Sequence, residues 1–213
     1  MLALGLILLV ILACGIFLIV NKRFPSRNNA DEIASSVIDI NREPQLLSIQ
    51  LKNFDKEIVI EEGFLQYAKI MENLAVQNNL QILVQQSFRN SDWYIMGAIV
   101  PPDERSNHLV GHAIDINISW NRQHFNSVLL GNYVELPRAV KNFISGYENA
   151  GIRWGGNFSP SDPVHFDDGI NENYPVWYDT WFSSLQESFR QLSQNQGRIT
   201  TQRRLPPMDV PQN

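Results

Sequence analysis

Cysteine is nearly absent: the 213-residue chain has one, Cys14. An intramolecular disulfide is therefore excluded, and so is any zinc site built from thiolates. A bound metal would have to be held by His, Asp or Glu. Positive charge is also scarce, with 17 Lys and Arg against 22 Asp and Glu, a net charge of -5 and a pI near 5.3. That balance argues against a nucleic-acid binder that works by bulk basicity, and no nucleic-acid partner is expected. No internal repeat is present. Histidine is rare too, with four residues, yet two of them share "SNHLVGHAIDI" (106–116) and another lies in "SDPVHFDD" (161–168).

What is abundant is apolar surface at the N-terminus. Leu2 to Val20 carry no charge, a run long enough to cross a bilayer as a single helix. A cleaved signal peptide is the rival reading. The run lacks a preceding Lys or Arg, is long for a signal core and has no small-x-small site after it. "ILAC" resembles a lipoprotein box, but the chain stays apolar through "GIFLIV" beyond Cys14. The expectation is an uncleaved anchor over 1–20, a polar linker over 21–43, a folded domain over 44–192 and a disordered Gln-, Arg- and Pro-rich tail over 193–213. Lys22, Arg23 and Arg27 follow the apolar run, so the positive-inside rule favours a cytoplasmic domain.

Within the domain, "IQLKNF" and "EIVIEE" are short and β-rich, and "GFLQYAKIMENLAVQNN" has the apolar spacing of an amphipathic helix. "LQILVQQSF" reads as a buried strand and 89–105 as an irregular connection. "HAIDINI" alternates: Ile114, Ile116 and Ile118 point one way and Ala113, Asp115 and Asn117 the other. "LPRAVKNFISGYENAG" is a helix punctuated by Pro and Gly, "IRWGG" a short strand, and "VWYDTWFSSLQESFRQL" a closing helix. Helices and strands without regular βαβ alternation predict an α+β fold.

The chemistry concentrates in two places. If the Ile-rich run is a strand preceded by a turn at Gly111, Asp115 points away from the apolar face and His108 can fold back beside it. His165 lies in a segment where Pro163 discourages helix, and Asp162 precedes it by three residues. Imidazole nitrogens and a carboxylate oxygen suit a catalytic zinc with one position left for water. Singly, such residues are more often solvated or satisfied in a core than ligands.

"SNHLVGHAID" matches Ser-x-His-x-x-Gly-x-Ala-x-Asp, a signature of the D-Ala-D-Ala carboxypeptidase/dipeptidase metallopeptidases. "WGGNFSPSDPVHF" resembles the Trp-Gly-Gly…Asp-x-x-His-Phe signature of their endopeptidase branch, which includes L-alanyl-D-glutamate endopeptidases of phage endolysins and bacterial wall hydrolases. The similarity spans about Glu61 to Phe166. It implies a small antiparallel sheet flanked by helices (the D-Ala-D-Ala peptidase/hedgehog-like fold). It also implies one Zn2+ on His108, Asp115 and His165, Asp162 as general base, and peptidoglycan peptides as substrate. The carboxypeptidase and dipeptidase branches carry Glu at the base position, so Asp162 favours the endopeptidase branch. "QQSFRN" is similar to the family's Ser-Gly-Tyr-Arg stretch, which carries a substrate-binding, carbonyl-polarising role to Arg89; Ser87 and Phe88 depart from the pattern. Trp154 is expected either as a wall of the substrate cleft or as core.

His112 is expected to pack or to support a ligand, His124 to lie on a surface loop, and Ser106 to fix the turn before His108 by hydrogen bonding. Asp167 and Asp168 have a fair composition for a base but no support from the signature. The resulting expectation is a membrane-anchored zinc peptidase of peptidoglycan, held through Leu2–Val20. Its alternatives are a D-Ala-D-Ala carboxypeptidase or dipeptidase, and a non-catalytic zinc-containing wall-binding module. Wall hydrolysis needs the domain on the cell-wall side, against the charge rule. Three resolutions are open: the charge cluster is overridden, the protein is released at lysis, or the anchor sits in the membrane of a virion and the protein acts at entry.

Overall fold

Alternation along 113–120 places the centre of the molecule. In the computed structural model, which describes residues 43–92 and 103–203, with side chains to 194, this stretch is the hub of the main sheet. The expected anchor, the linker as far as residue 42 and the tail beyond 203 lie outside the described residues. Among the described residues no helix is long and apolar enough to cross a membrane.

The strands are β1 (Leu46–Ile49), β2 (Ile58–Glu61), β3 (Gln81–Gln86), β4 (Ala113–Trp120), β5 (Gln123–Phe125), β6 (Arg153–Trp154) and β7 (His165–Asp167). The helices are α1 (Leu65–Gln77), α2 (Ser127–Gly131), α3 (Arg138–Asn149), α4 (Ile170–Asn173) and α5 (Pro175–Arg203). β1 and β2 form a separate antiparallel pair; the main sheet runs β3-β4-β7-β6, with β5 also on β4, and every pairing in it is antiparallel. The fold is α+β, a small antiparallel sheet flanked by helices.

The even face of β4 is the core face. Ile114, Ile116 and Ile118 are fully buried in one cluster with Ala68, Met71 and Leu74 of α1 and Val140, Phe143 and Ile144 of α3. The spacing of those helix residues is the i, i+3, i+4 stripe that buries one face of each helix. A second apolar cluster joins Phe88 and Val110 to Trp177, Tyr178, Leu185 and Phe189 of α5. The odd face of β4, which carries the half-buried Asp115 and Asn117, is turned away from that core.

Two boundaries differ from the sequence expectation. "IQLKNF" is mostly turn: β1 ends at Ile49, and Phe54 makes only an isolated bridge to Ile82. Asn53 sits at φ 64°, a left-handed turn position that asparagine tolerates and a strand does not use. At the other end α5 continues through Ser193 to Arg203, into the stretch whose composition suggested disorder.

Candidate metal centre

Three separate local structures deliver the three sequence-chosen donors to one point. Asp115 and His165 are directly opposed across the β4–β7 ladder, which puts their side chains on the same face. His108 comes from a 3-10 turn, Asn107–Val110, that closes on Gly111 at φ 79°. A Cβ there would lie 2.5 Å from the Glu61 amide nitrogen, which donates to the Gly111 carbonyl at 3.1 Å. Only glycine accommodates both the left-handed turn and that approach. The turn folds His108 back over the start of β4, as the sequence reading requires.

His108 Nε2 lies 3.0 Å from Asp115 Oδ1 and 3.2 Å from His165 Nδ1, and His165 Nδ1 lies 3.0 Å from the same oxygen. Zinc–nitrogen bonds of about 2.0–2.1 Å in a tetrahedron separate donor atoms by roughly 3.3 Å, so the triangle has the size of one tetrahedral face. The outer nitrogens are engaged as well. His108 Nδ1 donates to the Ser87 carbonyl at 2.7 Å and His165 Nε2 donates to Asp167 Oδ2 at 2.9 Å. With those nitrogens protonated, the inward ones carry lone pairs, and two lone pairs beside a carboxylate fit a cation. The residues present suit a His2Asp metal site.

The electrostatics agree. Burial opposes the charge on Asp115, but the charges and hydrogen bonds of His108 and His165 outweigh it and hold the carboxyl well below the usual range. Burial also opposes a charge on His165, whereas Asp115 and Asp167 raise its pKa to about 10. A cation taking Nδ1 therefore has to displace a proton, so metal binding weakens as pH falls.

Asp162 is half-buried in the loop before β7. Burial is the largest influence on its carboxyl and raises it, Asp115 adds to the rise, and His165, His108 and a hydrogen bond from the Val164 amide act the other way. The loop is held by the Trp-Gly-Gly segment. Trp154 Nε1 donates to the Pro163 carbonyl at 2.8 Å, and the Asp162 amide donates to the Gly155 carbonyl at 2.8 Å. A Cβ on Gly155 would stand 2.3 Å from the Asp162 carbonyl, so the loop can lie there only over glycine. Trp154 itself is 5% exposed and belongs to the main core. It supports the Asp162 loop through its bond to the Pro163 carbonyl.

Arg89 is buried, 6% exposed, just beyond the bulge that ends the β3–β4 register at Gln86 opposite Asp115. Its amide donates to the His108 carbonyl at 2.9 Å, which ties the two segments together. Burial lowers its pKa and the charge of Asp115 acts in the opposite sense; the guanidinium itself donates to Gln86 Oε1 at 3.5 Å.

Four contributors were not chosen from the sequence. Asp167 backs His165, and Asn107 donates to Asp167 Oδ2 at 2.9 Å. Gln186 of α5 donates to the carbonyls of Arg89 (3.0 Å) and Leu109, and accepts from the Ser91 amide at 2.8 Å, clamping both active segments from the helix. Glu61 pairs with His112. For Asp167 a signal existed: residues i and i+2 of a strand share a face, so it had to stand beside His165. Gln186 carries no such signal, because its partners are backbone atoms far away in sequence.

The remaining expectations can be placed. His124 is exposed, on β5 rather than in a loop. Ser106 holds the turn with its carbonyl, which accepts from the Leu109 amide (2.9 Å) and the Tyr178 hydroxyl (3.0 Å), not with its own hydroxyl. His112 is fully buried between Phe64 and Trp177, with Nδ1 2.7 Å from Asp168 Oδ2 and Nε2 3.3 Å from Glu61 Oε2. It stands outside the donor triangle and supports the turn that carries His108.

This buried cluster sets a pH dependence. Burial disfavours the imidazolium, but Asp168 and Glu61 outweigh it and raise the His112 pKa to about 9. A histidine raised on folding stabilises fully below its unfolded pKa, near 6.5, and the contribution disappears as pH climbs through the folded value. The difference is of order 3 kcal/mol. The melting temperature of the parent should therefore decline between about pH 6.5 and 9, and His112→Gln should lose the part due to this residue. Calorimetry across that range checks it; parallel curves for the two proteins would refute the assignment.

Residues 101–168 match the family model described as D-alanyl-D-alanine carboxypeptidase. The match contains His108, Asp115, Asp162 and His165 and ends before α5; Arg89 precedes it. No curated protein is significantly similar to the chain.

Proposed function

We propose that this chain is a membrane-anchored, zinc-dependent peptidase that hydrolyses peptide bonds in the stem or cross-link of peptidoglycan, a reading supported by the match of residues 101–168 to the family model described as D-alanyl-D-alanine carboxypeptidase. The observation that carries the reading is the triangle of donors at 3.0–3.2 Å, with Asp162 in the loop before His165, whose amide donates to the Asp162 carbonyl at 3.1 Å. A zinc ion on His108, Asp115 and His165 supplies Lewis acidity toward water and the scissile carbonyl.

The chain's own groups do the rest. Asp162, raised by burial, accepts a proton from the attacking water as the new C–O bond forms. It returns that proton to the amine nitrogen as the C–N bond breaks. The product is one carboxylate and one amine per water consumed. Arg89 presents a fixed cation beside the site, suited to a free carboxylate of the wall peptide and to negative charge growing on the carbonyl oxygen. Its burial and its backbone bonds to His108 and Gln186 fix where the residue stands before substrate arrives.

A second reading, trimming of terminal D-Ala, is favoured by the description of the matched family model. Asp162, where the trimming branches carry Glu, supports cleavage within the stem or cross-link. The test uses the full chain in detergent with purified cross-linked muropeptides and zinc. Conversion of dimers to monomers, or a cut inside the stem, is the expected result. Release of D-Ala alone would replace it with the trimming reading. A zinc-loaded protein that binds wall and yields no product would make it a binding module.

Anchoring rests on the apolar run Leu2–Val20, with the domain proposed on the cell-wall side or in a virion membrane. A phage or prophage role in lysis or entry accords with the endolysin-like signature. Protease protection of the domain in spheroplasts decides the side.

A further inference from the structure

We infer that Asp167 is the positioning residue for His165, fixing Nδ1 as the ring nitrogen turned toward the metal, and that Arg153 and Asn107 lock Asp167 in that orientation. The inference rests on the reading of His108, Asp115 and His165 as a metal site and adds to it the control of which nitrogen binds.

The carboxylate is 2% exposed and saturated. Oδ1 accepts from Arg153 Nε at 2.5 Å and from the Gly169 amide at 3.1 Å. Oδ2 accepts from Arg153 Nη2 at 2.8 Å, Asn107 Nδ2 at 2.9 Å and His165 Nε2 at 2.9 Å. A group with donors on both oxygens cannot turn away, and the Arg153 fork neutralises it. Being an acceptor only, it requires the proton of the neutral imidazole on Nε2, which leaves the lone pair on Nδ1.

The surroundings hold the ring to that choice. Phe158 leans on the His165 imidazole, centroids 5.9 Å apart, and the Arg153 guanidinium lies over the other ring at 5.1 Å from its centre. Arg153 also reaches Glu172 at 2.7 Å, so the fork is anchored from α4 as well. β6 and β7 are already joined by backbone pairing at Arg153 and Asp167. The ion pair is therefore not needed to align the strands, while the hydrogen bond to Nε2 has no other source among the described residues.

The test uses the full chain in detergent. Zinc affinity is read by competition with a chromophoric chelator, the site geometry by the visible spectrum of the cobalt form, and the tautomer by nitrogen resonances of histidine-labelled, zinc-loaded parent. The parent should show His165 protonated at Nε2 and metal-shifted at Nδ1. D167N should weaken zinc by about 10- to 100-fold and change the cobalt bands. Arg153→Gln, which leaves Asp167 in place, should weaken zinc by less. A folded D167N that binds zinc within about twofold of the parent overturns the inference. So does a parent with the proton on Nδ1, and that measurement stands if D167N does not fold. A parent that binds no zinc or cobalt brings down the metal reading itself.

Discussion

Asp162→Asn should lower kcat for peptide hydrolysis by about 10²- to 10⁴-fold while zinc affinity and melting temperature stay near those of the parent. Asparagine keeps the shape and an acceptor but cannot take a proton. The backbone that shapes the loop is tied by the Asp162 amide to Gly155 and by the His165 amide to the Asp162 carbonyl, and neither bond involves the carboxyl. Structure and metal should survive, and turnover should not. The parent should also lose activity as pH falls and the Asp162 carboxylate takes up a proton, because its ionised form is the one that works. A variant with more than a tenth of parental kcat would mean that the base lies elsewhere. Equal performance in cells and on wall would speak for the binding module.

His165→Ala should abolish both zinc binding and hydrolysis. It removes one corner of the donor triangle and also leaves Asp167 with a lost partner. The stability readout is separate from activity. Zinc at about a thousandfold excess over its dissociation constant should stabilise the parent by about 4 kcal/mol, since it binds the folded site and not the unfolded chain. The variant should melt at the same temperature with or without zinc, and a chelator should bring the parent toward its own zinc-free value. A variant that keeps the zinc-dependent rise would show that the metal sits elsewhere.

Much of this was legible because the informative residues obey short-range rules. Period-two alternation over 113–118 put Asp115 opposite the Ile face, and Gly111 announced the turn that returns His108. The resemblance then paired that stretch with "DPVH". What stayed hidden is of another kind. Asp167 and Asp168 are consecutive, yet one turns to His165 and the other to buried His112, a division of labour that alternation allows but composition cannot reveal. Gln186 acts through an amide on three backbone groups, and any residue type could have supplied those partners. Trp154 could be read as core or as cleft because an aromatic beside two glycines suits either; in the structure it packs in the main core with its indole bonded to the Pro163 carbonyl. The end of α5 was misplaced because Gln-rich and Arg-rich sequence is weak evidence against helix.

Asp115 and His165 face one another as a ladder pair, and that has a bearing on how the chain matures. A slide of β7 by a single position would turn His165 to the opposite side and dismantle the donor set. If His108, Asp115 and His165 hold a cation, its capture would report correct strand alignment, available only to molecules that have finished their pairing. Misaligned copies, unable to hold the ion, would gain none of its stabilisation and remain exposed to proteolysis.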